Sequence, residues 1–95
     1  MSPDEKNEAR WWESAEGHRF ALEVLQLRLR RKMLGFIAGG MRSNEQIEKE
    51  LDLGASLAEY HLQMLEKALV IERAQGCWRV TPTGFLYLEK VEARL

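Results

Sequence analysis

The sequence predicts a mainly α-helical domain carrying a small β-hairpin, and three observations support this. Apolar residues recur at helical spacing over 18–39 and again over 56–69. Between those stretches, Ser43 and Gln46 have the spacing of a helix-start capping box, and Asp52-Leu53-Gly54-Ala55 reads as a tight turn. Beyond them a β-branched run from Val70-Ile71 turns at Gln75-Gly76, returns through Cys77 to Val80, and meets the helix start Thr81-Pro82. Helix, turn, helix, hairpin is the order of a winged helix-turn-helix, here with an N-terminal helical extension and a C-terminal helix.

Size and composition narrow the possibilities. Ninety-five residues make one domain, expected as an arm over 1–17 and a winged helix-turn-helix with dimerisation helices over 18–95. So short a chain is marginally stable alone and gains from a partner subunit. Apolar residues at 45% and charged residues at 31% are globular values. No apolar run reaches the length of a membrane span, and the N-terminus lacks a basic-then-apolar signal pattern. With a single cysteine, Cys77, no intrachain disulfide can form, so a cytoplasmic protein with no membrane partner is expected. Net charge is −1, unevenly spread. Residues 1–16 carry a net −3, 17–42 a net +5, 43–69 a net −4 and 70–95 a net +1. The acidic helix-turn-helix stretch argues against strong phosphate binding through it alone.

Taken in order, the arm holds Trp11-Trp12, and Pro3 with Asp4 and Glu5 could open a helix. Two adjacent indoles favour an arm pinned onto the domain or a second subunit over a loose one. From His18 to Gly39 the apolar stripe changes face. Phe20, Ala21, Val24, Leu25 and Leu27 fall on one side; Leu29, Met33, Leu34, Phe36 and Ile37 fall on nearly the other. Either two helices meet near Arg28 or one long helix serves two cores. The first stripe then needs another apolar surface, most simply its own copy in a dimer. Gly54 fits a positive-φ turn, and Ser56 with Glu59 has the spacing of a second capping pair. The next helix should bury Ala58, Leu62, Leu65 and Leu69, with His61 at the edge of that stripe. Trp78 and Val80 share the inner face of the hairpin, while Arg73 and Arg79 can point outward. The last helix carries a seam of Phe85, Leu88, Val91 or Glu92, and Leu95.

The stretch from about Arg30 to Leu88 resembles winged-helix regulators of the ArsR/MarR kind and related small archaeal winged-helix proteins. The segment EYHLQMLEKALVIE is similar to their recognition-helix signature xxHLxxLxxxGLV, and VTPTG is similar to their LTPxG after the wing. Ala68 stands where that group usually has Gly, and the wing is short, with Ala74-Gln75-Gly76 at its tip. The resemblance implies a homodimeric DNA-binding transcriptional regulator. ArsR-type metal sensors carry a Cys-x-Cys pair where this chain has Glu50-Leu51-Asp52-Leu53. The last helix has Glu89 and Glu92 but no histidine, so metal sensing is not carried over.

The recognition helix, Ser56 to Lys67, would then enter the major groove of double-stranded DNA, with Tyr60 and Gln63 reading base edges and Ser56 and Lys67 beside them. The structural alternative for Ser56 is a plain N-cap, and for Tyr60 a packed surface aromatic, with DNA contact favoured for Tyr60 and Gln63 more than for Ser56. Glu59 fits a capping role better than contact with cytosine. His61 reads as half-buried and hydrogen-bonded within the fold. The wing, Arg73 to Arg79, suits the DNA backbone, against a reading of two solvated arginines. Arg28, Arg30, Arg31 and Lys32 form the densest basic cluster, either a phosphate clamp or a solvated face at a dimer seam. No phosphate loop, nucleophile elbow, paired-carboxylate pocket or metal pattern stands out, so neither an enzyme nor a cofactor is expected. The competing reading is a protein-interaction winged-helix module that does not bind DNA, favoured by the acidic 43–69 stretch and the two tryptophans.

Overall fold

The chain breaks into two helices where its apolar stripe changes face. A computed structural model describes residues 12–91, with α1 over Ala15–Val24 and α2 over Arg28–Ala38. Expectations resting on Pro3, Trp11, Glu92 and Leu95 lie outside the described residues. No Gly or Pro marks the break. Leu27 takes extended backbone, at φ −73° and ψ 121°, and caps α2. Two α2 arginines satisfy the carbonyls freed at the end of α1. Arg30 Nη1 donates to the Val24 carbonyl at 3.3 Å, and Arg31 Nη1 donates to those of Leu25 and Gln26, both at 2.8 Å. Cations here also meet the negative end of the helix dipole.

The first stripe finds its apolar partner inside the chain. α1 packs against α4, Ala55–Lys67, and Ala21, Val24 and Leu25 are buried. The expectation that this stripe needs a second copy is therefore corrected, and Leu27, grouped with it, is 47% exposed. The tryptophan expectation resolves for Trp12. Its indole N–H donates to the Ala68 carbonyl at 2.6 Å, and its ring stacks on His18 at 5.4 Å. Trp12 thus fastens the segment ahead of α1 to the end of α4 in the same domain. α1 itself begins at Ala15, N-capped by the Ser14 hydroxyl, which accepts from the Gly17 amide.

α3, Asn44–Leu51, opens with the expected capping box. The Ser43 hydroxyl accepts from the Gln46 amide at 3.1 Å, and Gln46 Oε1 accepts from the Ser43 amide at 2.8 Å. The turn that follows differs from expectation. α3 ends at Leu51, so the left-handed position falls on Asp52, φ 53°, whose short polar side chain tolerates it. Gly54, at φ −69°, is instead the extended N-cap of α4. That shift places Ser56 inside α4, and the Ser56–Glu59 capping pair does not form. Glu59 Oε1 accepts from Gln63 Nε2 at 3.3 Å, one turn along the helix.

α4 buries Ala58, His61, Leu62 and Leu65 and ends in a Schellman motif. The Val70 amide donates to the Leu65 carbonyl at 3.3 Å, and the Leu69 amide to that of Glu66 at 2.9 Å. Leu69, expected in the buried stripe, is 60% exposed at φ 66°, and Ala68 takes its place inside. The left-handed position is therefore Leu69, not Ala68; it is also where the signature xxHLxxLxxxGLV, set on His61-Leu62, has its Gly.

β1, Ile71–Ala74, pairs antiparallel with β2, Cys77–Val80. Gln75 and Gly76, at φ 54° and 76°, make the tight turn, whose backbone suits the hairpin twist. Arg42 adds a bridge on the far side of β2, where its amide donates to the Trp78 carbonyl and its carbonyl accepts from the Trp78 amide. Trp78 and Val80 are buried as expected. α5, Pro82–Val91, starts at Thr81, whose hydroxyl accepts from the Gly84 amide and donates to the Leu69 carbonyl. Gly84 is the close approach: a Cβ there would strike the Val70 carbonyl oxygen and Val80 Cγ1. The buried face of α5 is Gly84 and Tyr87, with Leu88 and Val91 half-buried. Phe85 of the expected seam is 49% exposed.

Candidate nucleic-acid interface

Ser56, Tyr60, Gln63 and Lys67 recur at helical spacing along α4, opposite the stripe that it buries, and all four are exposed. Tyr60 is 52% exposed, and beside it Leu57 is 48% exposed, a residue the sequence reading passed over. Its signal was present, because Leu57 lies off the Ala58–Leu62–Leu65 stripe and three residues before Tyr60. A hydroxyl, an alkyl group, a phenol, an amide and an ammonium along one helix face can donate to base-edge acceptors, pack on a thymine methyl and meet a phosphate. Glu59 and Glu66 are exposed on the same helix and add negative charge.

Beneath Tyr60 lies an arrangement that no local pattern announced. Arg30, expected in the basic cluster, is buried at 5% exposure. Its Nε donates to His61 Nδ1 at 3.0 Å, and its guanidinium carbon sits 5.5 Å from the centre of the Tyr60 ring. The Tyr60 and His61 rings are 5.3 Å apart and tilted. Because His61 Nδ1 accepts, the neutral ring carries its proton on Nε2. Burial first, and the Arg30 charge second, hold the His61 pKa below its ordinary 6.5.

The wing arginines do not share a face. Arg73 pairs across the hairpin with Trp78, and Arg79 with Glu72, so the two lie on opposite sides. The Arg73 guanidinium lies over the Trp78 ring at 4.3 Å, while Trp78 Nε1 donates to Asn44 Oδ1 at 2.8 Å. Arg79 Nε donates to Glu72 Oε2 at 2.8 Å, an exposed ion pair. Both are exposed, as expected, but the register sets them on opposite faces of the hairpin.

The basic cluster on α2 also divides. Arg28 and Lys32 are exposed, whereas Arg31 is half-buried and committed to the α1 carbonyls. Lys32 lines a cleft with Phe36, Glu50 and Leu51 where α2 meets α3. Arg42, unremarked in sequence, holds the end of α2: its Nε donates to the Phe36 carbonyl at 2.9 Å, and its guanidinium lies 4.1 Å over the Phe36 ring. Among the described residues no His, Cys, Asp and Glu side chains gather into a group that could hold a metal ion. None of their helices is long and apolar enough to cross a membrane.

Among the described residues, five helices with a two-stranded hairpin between the fourth and fifth define a winged helix-turn-helix domain. Among solved structures the chain is similar to the homodimeric winged helix-turn-helix DNA-binding domain of a possible ArsR-family transcriptional regulator from Mycobacterium bovis. That match has a TM-score of 0.73 and 20% identity, over 99% of this chain and 87% of the other. It is similar also to reduced HlyU from Vibrio cholerae, with a TM-score of 0.62 and 16% identity, over 96% of this chain and 98% of the other. At such identities the likeness establishes the fold. No protein-family model matches the sequence, and no curated protein does.

Proposed function

We propose that the protein is a homodimeric transcriptional regulator that binds double-stranded DNA through the outer face of α4. The observation that carries this reading is the row of exposed side chains from Ser56 to Lys67 on the second helix of a helix-turn-helix. The likeness to the homodimeric DNA-binding domain from Mycobacterium bovis supports it. Tyr60 and Gln63 read bases, Ser56 and Lys67 flank them, and Arg73 and Arg79 contact the backbone from the two sides of the wing. Arg28 and Lys32 raise affinity without reading sequence, and Arg31 contributes through the charge it brings to the end of α1. The outer faces of α1 and α5, which expose Leu22 and Phe85, form the dimer seam.

The test is titration of a mixed-sequence duplex over a salt series beginning at low ionic strength. Binding that weakens with salt, and weakens further in Arg79→Ala and Arg28→Ala, is expected. The slope is shallow, because each phosphate contact adds only about one unit to it and the exposed cations are few. A second reading, a protein-interaction module, is favoured by the net −4 of residues 43–69. Absence of binding at low salt by a protein shown to be dimeric selects that reading.

A further inference from the structure

Arg30 is a buried cation whose partners among the described residues are all neutral. It donates to His61 Nδ1 and to the Val24 carbonyl, and its guanidinium faces the Tyr60 ring. Burying an arginine without a carboxylate is costly, and its share in capping α1 is one long bond, 3.3 Å to the Val24 carbonyl, beside the two 2.8 Å bonds that Arg31 makes. What Arg30 alone does is join the buried side of α4 to its exposed side. It meets His61 within and the Tyr60 ring at the rim, two consecutive residues of the same helix.

Resting on the DNA-binding reading, we infer that Arg30 is a positioning residue for recognition, holding the Tyr60 ring from behind so that the phenol is presented to the duplex as a hydrogen-bond donor. Three features converge on this role. The guanidinium is planar and locked by its bond to His61, so the surface it offers Tyr60 is fixed. A cation over the ring draws electron density from it and makes the phenolic O–H a better donor. The partner so selected is a base-edge acceptor, guanine O6 or N7, adenine N7 or thymine O4. In an acidic helix-turn-helix, this also places positive charge directly behind the reading face, where a solvated lysine would be screened.

The experiment is selection of a preferred duplex from a random-sequence pool by the wild-type protein, Tyr60→Phe, Arg30→Met and the double variant, followed by affinity measurement on the wild-type choice. Arg30→Met and Tyr60→Phe are each expected to relax the motif at the same base pair and to weaken binding about 10-fold. The double variant is expected to lose about 10-fold rather than about 100-fold, because the two residues act through one contact. Melting curves verify folding. Should Arg30→Met not fold, Arg30→Lys serves instead, since it keeps the charge and loses the planar surface, and the same relaxation at that base pair is expected. Unchanged sequence preference with a multiplicative loss in the double variant overturns the inference. Failure of the wild type to enrich any sequence counts against DNA reading itself, a separate outcome.

Discussion

His61 sits where a proton is unwelcome, enclosed by α4 packing and accepting from Arg30 through the nitrogen that a second proton would occupy. Its folded pKa lies below the ordinary 6.5, so the folded state disfavours the imidazolium. The contribution is fully present above about pH 6.5 and is lost as pH falls through the lower folded value. Urea unfolding of the wild type is expected to show lower stability at pH 5.5 than at pH 7.5, with a smaller difference in His61→Asn. Equal pH dependence in the two proteins contradicts the assignment. Two backbone positions give sharper expectations. Leu69 holds a left-handed conformation with most of its side chain in solvent, so Leu69→Gly should gain about 0.5–1 kcal/mol in chemical denaturation, the steric relief exceeding the added chain entropy. Gly84→Ala should lose about 1–3 kcal/mol, because the new methyl meets the Val70 carbonyl and Val80 rather than open space. Such residue-scale features were only partly legible in the sequence. A helix end near Ala68 could be read, and the signature counted from His61 puts its Gly at Leu69, the left-handed residue; what could not be read is that Leu69 fills that place without a glycine, with residues 69 and 70 answering the Glu66 and Leu65 carbonyls.

Elements defined by neighbouring residues were readable, because their causes are local. The Ser43–Gln46 box, the Gln75-Gly76 turn and the Thr81-Pro82 start are each written within a few positions and appear in the structure. Elements whose neighbours lie far along the chain were not. Nothing in residues 18–27 reveals that α4 covers the α1 stripe, so from sequence a second copy is the simplest cover for it. The capping of α1 by Arg30 and Arg31 hid inside what reads as a solvent-facing basic run. Trp12 reaches Ala68 across more than half of the chain. Its anchoring gives a prediction at this scale. Trp12→Ala should cost about 3–5 kcal/mol of stability, and Trp12→Phe less, since the latter loses the bond to Ala68 but keeps much of the packing. A Trp12→Ala protein as stable as the wild type would mean that the segment ahead of α1 is not part of the domain.

At the level of the whole molecule, charge is the tension in the account. The residues expected to meet DNA lie on an acidic stretch, and some of the cations that could offset it have work inside the fold. Arg30 and Arg31 finish α1, and Arg79 pairs with Glu72. The exposed remainder is spread over α2, α4 and the wing, so a dimer that doubles it is central to the proposal. Sedimentation at micromolar concentration should give a dimer, with Leu22→Glu or Phe85→Glu shifting it to monomer. The most direct test is a map of backbone amide shift changes on adding a mixed-sequence duplex to the labelled protein at low salt. Changes are expected to concentrate from Ser56 to Lys67, with a second group at the wing from Arg73 to Arg79. Changes confined to α1 and α5, with α4 and the wing silent, would contradict the proposal.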